Sequence, residues 1–166
     1  MNEGLIQRWN EKVSSEDEVF VLGDVMMGGK KDMPERMESI FNRLNGTKYL
    51  VKGNHDRNWK EPWFSKHFVW IKDYWELRAS KSISLVLSHF PFLSWAGMGY
   101  GNIMCAGHAH GNLDQANLKT RRIDVGVDAM YSDFAPISVE QILKVMEDRK
   151  LEVVDHHGRA DEEVSL

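Results

Sequence analysis

The sequence has little of several features that define whole classes of protein. It contains one cysteine, Cys105, so no disulfide can form within the chain, and we expect a protein of a reducing compartment, the cytoplasm. No run approaches the roughly 20 apolar residues of a membrane helix. Residues 1–10 also lack the basic-then-apolar pattern of a signal peptide. We therefore expect neither secretion nor a membrane partner.

An excess of basic charge is also missing. The chain has 21 lysine and arginine residues against 25 aspartate and glutamate residues, a formal net charge of -4. General nucleic-acid binding is therefore not expected, since it usually needs a basic face. The 166 residues, 42% of them hydrophobic, suffice for one domain with its own core. We predict a single domain over residues 1–150 and a tail over residues 151–166.

Four short apolar segments each run directly into a polar block. The segments are residues 18–22, 49–51, 83–87 and 103–106, and the blocks are Gly23-Asp24, Gly53-Asn54-His55-Asp56, Ser88-His89 and Gly107-His108-Ala109-His110. Helical spacing is found at residues 5–13 and 33–44, a capped helix is predicted at 138–148, and a further strand at 123–127. Polar residues beyond the carboxyl ends of strands predict a layered α/β domain with its site at that edge.

The polar blocks contain the side chains that hold borderline divalent metals. They supply Asp24, Asn54, His55, His89, His108 and His110, and no cysteine. Oxygen and imidazole ligands without thiolate suit manganese, iron or zinc in an open, catalytic site. A carboxylate can bridge two ions, and Asp24 is placed for that role. Each block has an alternative when taken alone, because Asp24 could cap a turn and residues 53–56 could form a hairpin.

Together the four blocks resemble, in order and spacing, those of the calcineurin-like metallophosphoesterases. The resemblance covers residues 1–146 and is closest to small bacterial and phage members. It implies a four-layer α/β/β/α sandwich of two mixed sheets. It also implies a metal-dependent hydrolase that cleaves a phosphomonoester or phosphodiester with metal-activated water, using one or two divalent ions.

The resemblance also implies a role for each site residue. Asp24 would bridge the two ions, Asn54, His89 and His108 would complete one of them, and His110 would serve the other. His55 would be the catalytic histidine, as a general acid for the leaving alkoxide or a stabiliser of charge in the transition state. Asp56 either orients His55 or caps a turn. Aromatic residues after His89, such as Phe90 and Phe92, either stack on a nucleotide substrate or pack in the core.

The chain departs from the family pattern at its start. The family begins with a strand and an Asp-x-His block, whereas no histidine precedes Asp24 here. We expect a fold without its first strand, an incomplete second metal position, and an open sheet edge that invites a homo-oligomer. Three explanations stay open. The natural sequence is shortened, the chain is a degenerate member that acts as a binding or scaffold protein, or Asp155 and His157 replace the missing block.

Overall fold

The computed structural model describes residues 2–26 and 32–150. Within these ranges the helices are α1 Asn2–Lys12, α2 Met33–Phe41, α3 Pro62–Ser65, α4 Asp114–Asn117 and α5 Val139–Val145, with a 3₁₀ helix at Met98–Tyr100. The strands are β1 Glu18–Val21, β2 Thr47–Val51, β3 Ile71–Lys72, β4 Trp75–Arg78, β5 Ser84–Ser88, β6 Ile103–Ala106 and β7 Arg122–Asp124. Strands and helices thus intermingle along the chain, as the sequence predicts.

The strands form two sheets that present their carboxyl ends to a common region. In the first sheet, β1, β2 and β3 are parallel neighbours in that order. In the second sheet, ordered β4-β5-β6-β7, the last three strands are parallel and β4 runs antiparallel to β5. Parallel pairing brings the segments that follow β1 and β2 to one edge, and those that follow β5, β6 and β7 to another. The four polar blocks occupy these edges.

Side-chain alternation along the strands separates the layers of the core. Leu85 and Leu87 of β5 lie with Val51 of β2 in a buried cluster shared by both sheets. Val86, between the two leucines, faces the opposite side and packs near Trp95. A third cluster, between the first sheet and α2 and α3, contains Met37, Phe41, Leu50, Phe64 and Phe68. The apolar segments predicted from the sequence are therefore strands, of which β5 and β6 are the most deeply buried and β1 is half-buried.

The structure confirms the α/β fold class with two sheets and refines its details. The first sheet is wholly parallel among the described residues, and the second is mixed. Strand β7 ends at Asp124, before the predicted residue 127, because the Asp124 carboxylate accepts the N–H of Gly126 and turns the chain. Helix α5 begins at the capping box of Ser138 and Gln141 and ends at Val145, before the predicted residue 148.

Some sequence predictions lie beyond this description. Residues 151–166, and with them Asp155 and His157, lie outside the described residues. The boundary between domain and tail thus stays a prediction. Across residues 2–26 and 32–150, no helix is long and apolar enough to span a bilayer.

Candidate metal centre

Three candidate ligands from three strand ends converge. Asp24 follows β1, His89 follows β5, and His108 follows β6. One ligand atom from each lies within 4.8 Å of the others. Because Asp24 belongs to one sheet and the two histidines to the other, the group forms only when both sheets pack. The sequence-predicted strand ends therefore meet at one place.

The loops after β1 and β2 approach each other so closely that only glycine fits. Gly23 has φ +87°, and a Cβ at this position would lie 2.6 Å from the Cα of Gly53 and 2.6 Å from Nδ1 of His89. A Cβ on Gly53 would in turn overlap the Asp24 carboxylate. Glycine supplies both the positive φ and the missing volume. The Gly-Asp and Gly-Asn pairs of the sequence are thus the contact point of the two loops.

A buried carboxylate holds these loops together. Asp56 is 3% exposed, and its oxygens accept the backbone N–H groups of Gly53 (2.8 Å), Asp24 (2.9 Å) and Val25 (2.9 Å). Burial raises the pKa of Asp56, although the three hydrogen bonds act in the opposite direction. These partners are all backbone groups. Asp56 therefore fixes the position of Asp24 relative to the loop that carries Asn54 and His55.

The hydrogen bonds of His89 show why a cation suits this group. The buried imidazole donates from Nδ1 to the carbonyl oxygen of Leu22 (2.8 Å), because a carbonyl can only accept. In the neutral ring Nε2 then carries a lone pair. That lone pair faces Asn54 Oδ1 at 2.9 Å, His108 Nδ1 at 3.2 Å and Asp24 Oδ2 at 3.4 Å. Each of these atoms can offer a lone pair, so a positive ion between them satisfies all four at once.

The chemistry of the donor set fits a divalent ion. One carboxylate oxygen, one amide oxygen and two imidazole nitrogens form a mixed oxygen and nitrogen site without sulfur. Asn54 and His108 are exposed, whereas His89 is buried, so the group has a fixed base and an open outer side. Such a site leaves positions for water or substrate. Asp24, Asn54, His89 and His108 are therefore the residues that would hold the ion.

His110 lies apart from that group, in contact with a carboxylate that sequence reasoning missed. Its Nδ1 is 2.7 Å from Oδ2 of Asp128, and this hydrogen bond raises the pKa of His110. Asp124 is buried, and its two oxygens accept the N–H groups of Gly111 (3.0 Å) and Gly126 (2.8 Å). The sequence did hold a signal for these residues, because a strand followed by aspartates repeats the pattern of the other four blocks.

Three candidate ligands have a backbone conformation that is unusual for their residue types. Asp24 has φ 52°, His108 has φ 65° and His110 has φ 49°. This left-handed region costs energy for residues with a Cβ, although Asp and His enter it more readily than most. The backbone is strained where the ligands project, which is typical of functional sites.

The remaining sequence-predicted residues surround the group. The backbone N–H of His55 donates to Asp24 Oδ1 (2.9 Å), and His55 is exposed. Phe90 is 46% exposed, and its ring makes edge-to-face contacts with His89 at 4.9 Å and His108 at 4.6 Å between centroids. An aromatic surface therefore adjoins the candidate ligands directly.

Candidate ligands also border a cavity with a volume of about 880 Å³. It extends between α1, the outer edge of β1 and the second sheet, and its walls include Ile6, Phe20, Leu85 and Leu87. Asp24, His108 and His110 lie along its rim. Strand β1 pairs only with β2 among the described residues, so its other edge faces this space. The cavity thus joins an apolar interior to a polar mouth.

Comparisons with a family model, with related sequences and with a solved structure all agree with the geometry described above. The family model described as calcineurin-like phosphoesterase matches residues 3–165. The Gene 66 protein of Mycobacterium phage D29 is 31% identical over 156 residues, covering 80% of this chain and 77% of the phage protein. The uncharacterised protein MJ1445 of Methanocaldococcus jannaschii is 28% identical over 155 residues, covering 91% and 78%. The crystal structure of AQ665 from Aquifex aeolicus, a protein of unknown function, shares the fold, with a TM-score of 0.64 at 22% identity over 87% of this chain and 84% of that chain.

Proposed function

The chain belongs to the calcineurin-like phosphoesterase family, and we propose that it hydrolyses small phosphate esters with water activated by bound divalent metal. Family membership supports metal-dependent phosphoester hydrolysis in general. We further propose that the metal is bound by Asp24, Asn54, His89 and His108. His55 is the proposed proton donor.

One observation carries the proposal, namely the set of lone pairs that face Nε2 of His89. Asn54 Oδ1 lies 2.9 Å away and His108 Nδ1 lies 3.2 Å away, while the proton of the ring is used on Leu22. A hydrogen bond from His108 Nδ1 could satisfy Nε2 alone, whereas a cation would be bound by the lone pairs of all four side chains at once. Asp24, Asn54, His89 and His108 would hold a divalent ion there, and its chemistry would be to activate water at neutral pH and to polarise the phosphoryl group.

Asp24, His55 and Asp56 have the remaining roles in the proposed reaction. Asp24 Oδ1 accepts the backbone N–H of His55, which holds the backbone of the proposed proton donor next to a proposed ligand. The imidazole of His55 can then deliver a proton to the leaving alkoxide, since histidine is the usual proton carrier near neutral pH. Asp56 orients His55 indirectly, by fixing the loop on which it lies.

We further propose that the substrate carries an aromatic group, as a nucleotide does. Phe90 supports this, because it is half exposed and its ring lies against two candidate ligands. Base stacking on such a ring contributes about 1 to 3 kcal/mol. Phe90→Ala is expected to raise KM for a nucleotide ester while leaving KM for a small alkyl ester unchanged. Leu93→Ala is the matched control, since Leu93 is 77% exposed on the same loop.

The test is hydrolysis of bis-p-nitrophenyl phosphate and p-nitrophenyl phosphate with added Mn²⁺, accompanied by calorimetric titration of Mn²⁺. Asp24→Asn is expected to lose both turnover and Mn²⁺ binding, whereas His55→Ala loses turnover and keeps Mn²⁺ binding. Asp133→Asn, an exposed aspartate paired with Arg8, is the control that keeps both. The ester preferred by the unaltered chain decides between monoester and diester hydrolysis. Turnover that survives both substitutions contradicts the proposal.

A second function is favoured by a different observation. Among the described residues, His110 lies outside the group of Asp24, His89 and His108. A single ion held by that group could bind phosphate esters in a scaffold protein without turnover. The same assay separates the two functions, because a scaffold would bind Mn²⁺ and cleave neither ester.

A further inference from the structure

The loop after β7 places a carboxylate against a candidate ligand of the His-x-His block. Oδ2 of Asp128 lies 2.7 Å from Nδ1 of His110. The His110 side chain is 66% exposed and that of Asp128 is 42% exposed. A pair this exposed adds little to folding stability, because solvent screens the two charges. Its main effect is therefore on the orientation of the imidazole rather than on the stability of the fold.

Two further carboxylates fix this contact by joining the same two segments. Asp124 is buried at the end of β7 and accepts the N–H of Gly111, the residue after His110. Asp114, at the start of α4, accepts the N–H of Met130 (3.2 Å), two residues after Asp128. The loop that carries Asp128 is thus tied on both sides of the His110 contact. The contact is a product of the fold and not of a chance surface encounter.

The hydrogen bond also decides which ring nitrogen is free. Asp128, when ionised, only accepts, so Nδ1 of His110 must carry the proton. Nε2, on the far side of the ring, then carries the lone pair in the neutral form. His110 and Asp128 both line the cavity that Asp24 and His108 border. Nε2 is therefore the ring nitrogen that is left free to bind an ion in this cavity.

We propose that Asp128 is a positioning residue that holds His110 as the Nδ1–H tautomer, so that Nε2 is free to bind a second divalent ion in the cavity that Asp24 also borders. This assignment rests on the proposed function, because it gives His110 its place in the same site. A carboxylate behind a ligating histidine fixes the ring and raises its basicity. Loss of such a partner typically weakens metal affinity by about 10- to 100-fold.

The experiment compares Asp128→Ala, Asp128→Asn and His110→Ala with the unaltered chain. Asp128→Asn keeps an oxygen acceptor for Nδ1–H and serves as the conservative variant. Asp133→Asn is the control, an exposed aspartate five residues further on that pairs with Arg8 (3.0 Å). Two readouts are used, namely Mn²⁺ titration by calorimetry and ¹⁵N NMR of the His110 ring in the metal-free protein. The NMR readout reports the tautomer directly and needs no turnover.

Asp128→Ala is expected to weaken the second Mn²⁺ step by about 10- to 100-fold and to leave the first step unchanged. The double variant with His110→Ala should bind no more weakly than His110→Ala alone. In the metal-free protein Asp128→Ala should shift the ring from the Nδ1–H form to a mixture, and Asp128→Asn should restore it. An unchanged tautomer, or a second step that is absent or insensitive to Asp128→Ala, overturns the assignment.

The outcomes also separate this inference from the proposed function. If the chain cleaves no ester but Asp128→Ala alters the tautomer and the second Mn²⁺ step, the proposed function fails and the role of Asp128 stands. If the chain cleaves esters but Asp128→Ala changes neither the tautomer of His110 nor the affinity of either Mn²⁺ step, only the role of Asp128 is wrong.

Discussion

Removing the charge of Asp56 should loosen the junction of the two loops that carry Asp24 and His55. The carboxylate is 3% exposed and accepts three backbone N–H groups at 2.8 to 2.9 Å. In Asp56→Asn the shape is kept, but one oxygen becomes an NH₂ group that faces at least one N–H donor. One hydrogen bond is lost outright, and those that remain lose the charge that strengthened them.

The expected size follows from these contacts. A hydrogen bond to a charged group contributes about 1.5 to 3 kcal/mol, and an unsatisfied buried donor costs a similar amount. Burial raises the pKa of Asp56, so the ionised form itself is held at some cost, which offsets part of the loss. We expect a net destabilisation of about 2 to 3 kcal/mol, which lowers Tm by roughly 5 to 10 °C in a chain of this length.

The measurement is urea unfolding at pH 7, followed by Mn²⁺ titration of the folded variant. Asp73→Asn is the matched control, because Asp73 is 84% exposed, pairs with Lys52, and should cost less than about 1 kcal/mol. A variant as stable as the control, with turnover alone reduced, would refute the reasoning. Asp56 would then act on His55 without holding the loops together.

Two further predictions concern close packing and pH. Gly53→Ala should weaken Mn²⁺ binding and lower Tm, because a Cβ would lie 2.5 Å from the backbone N of Asp24. Gly4→Ala in α1 is the control, because a Cβ there meets no atom within 4 Å. It should raise the free energy of unfolding by about 1 kcal/mol. Equal metal affinity in the two variants would contradict this. Burial lowers the pKa of His67 below 6.5, and its Nε2 has no partner among the described residues. The free energy of unfolding should therefore decrease as the pH falls through the folded-state pKa of His67. Urea unfolding at pH 5 and pH 7.5 measures this decrease, and His67→Phe should make it smaller. An equal decrease in the variant would contradict the prediction.

The sequence predicts the part of the site that depends on strand ends. Each of the apolar segments before Asp24, His89 and His108 is long enough to be recognised as a strand, and each is followed at once by its polar block. Parallel pairing of β5 and β6 brings His89 and His108 together, and the packing of the two sheets then places Asp24 within 4.8 Å of them. Short elements escaped prediction, since β3 has two residues and α3 and α4 have four each, too few to show a period.

The sequence could not predict contacts that depend on long-range packing. The partner of His89 Nδ1 is the carbonyl oxygen of Leu22, a backbone atom 67 residues away that no residue type identifies. The contact between His110 and Asp128 needs the turn that Asp124 makes after only three strand residues. The role of Asp56 as a tie between two loops likewise requires knowledge of where the backbone N–H groups of Asp24 and Val25 point.

The left-handed backbone at Asp24, His108 and His110 has a consequence for how such sequences drift over time. Each of these positions would be relaxed by glycine, at a gain of about 1 kcal/mol or more, at the expense of a candidate metal ligand. A lineage released from selection for metal chemistry should therefore accumulate glycine or asparagine at these three positions before it loses core residues. This chain has Asp and two His at these places, the residues that selection for the proposed metal centre would keep.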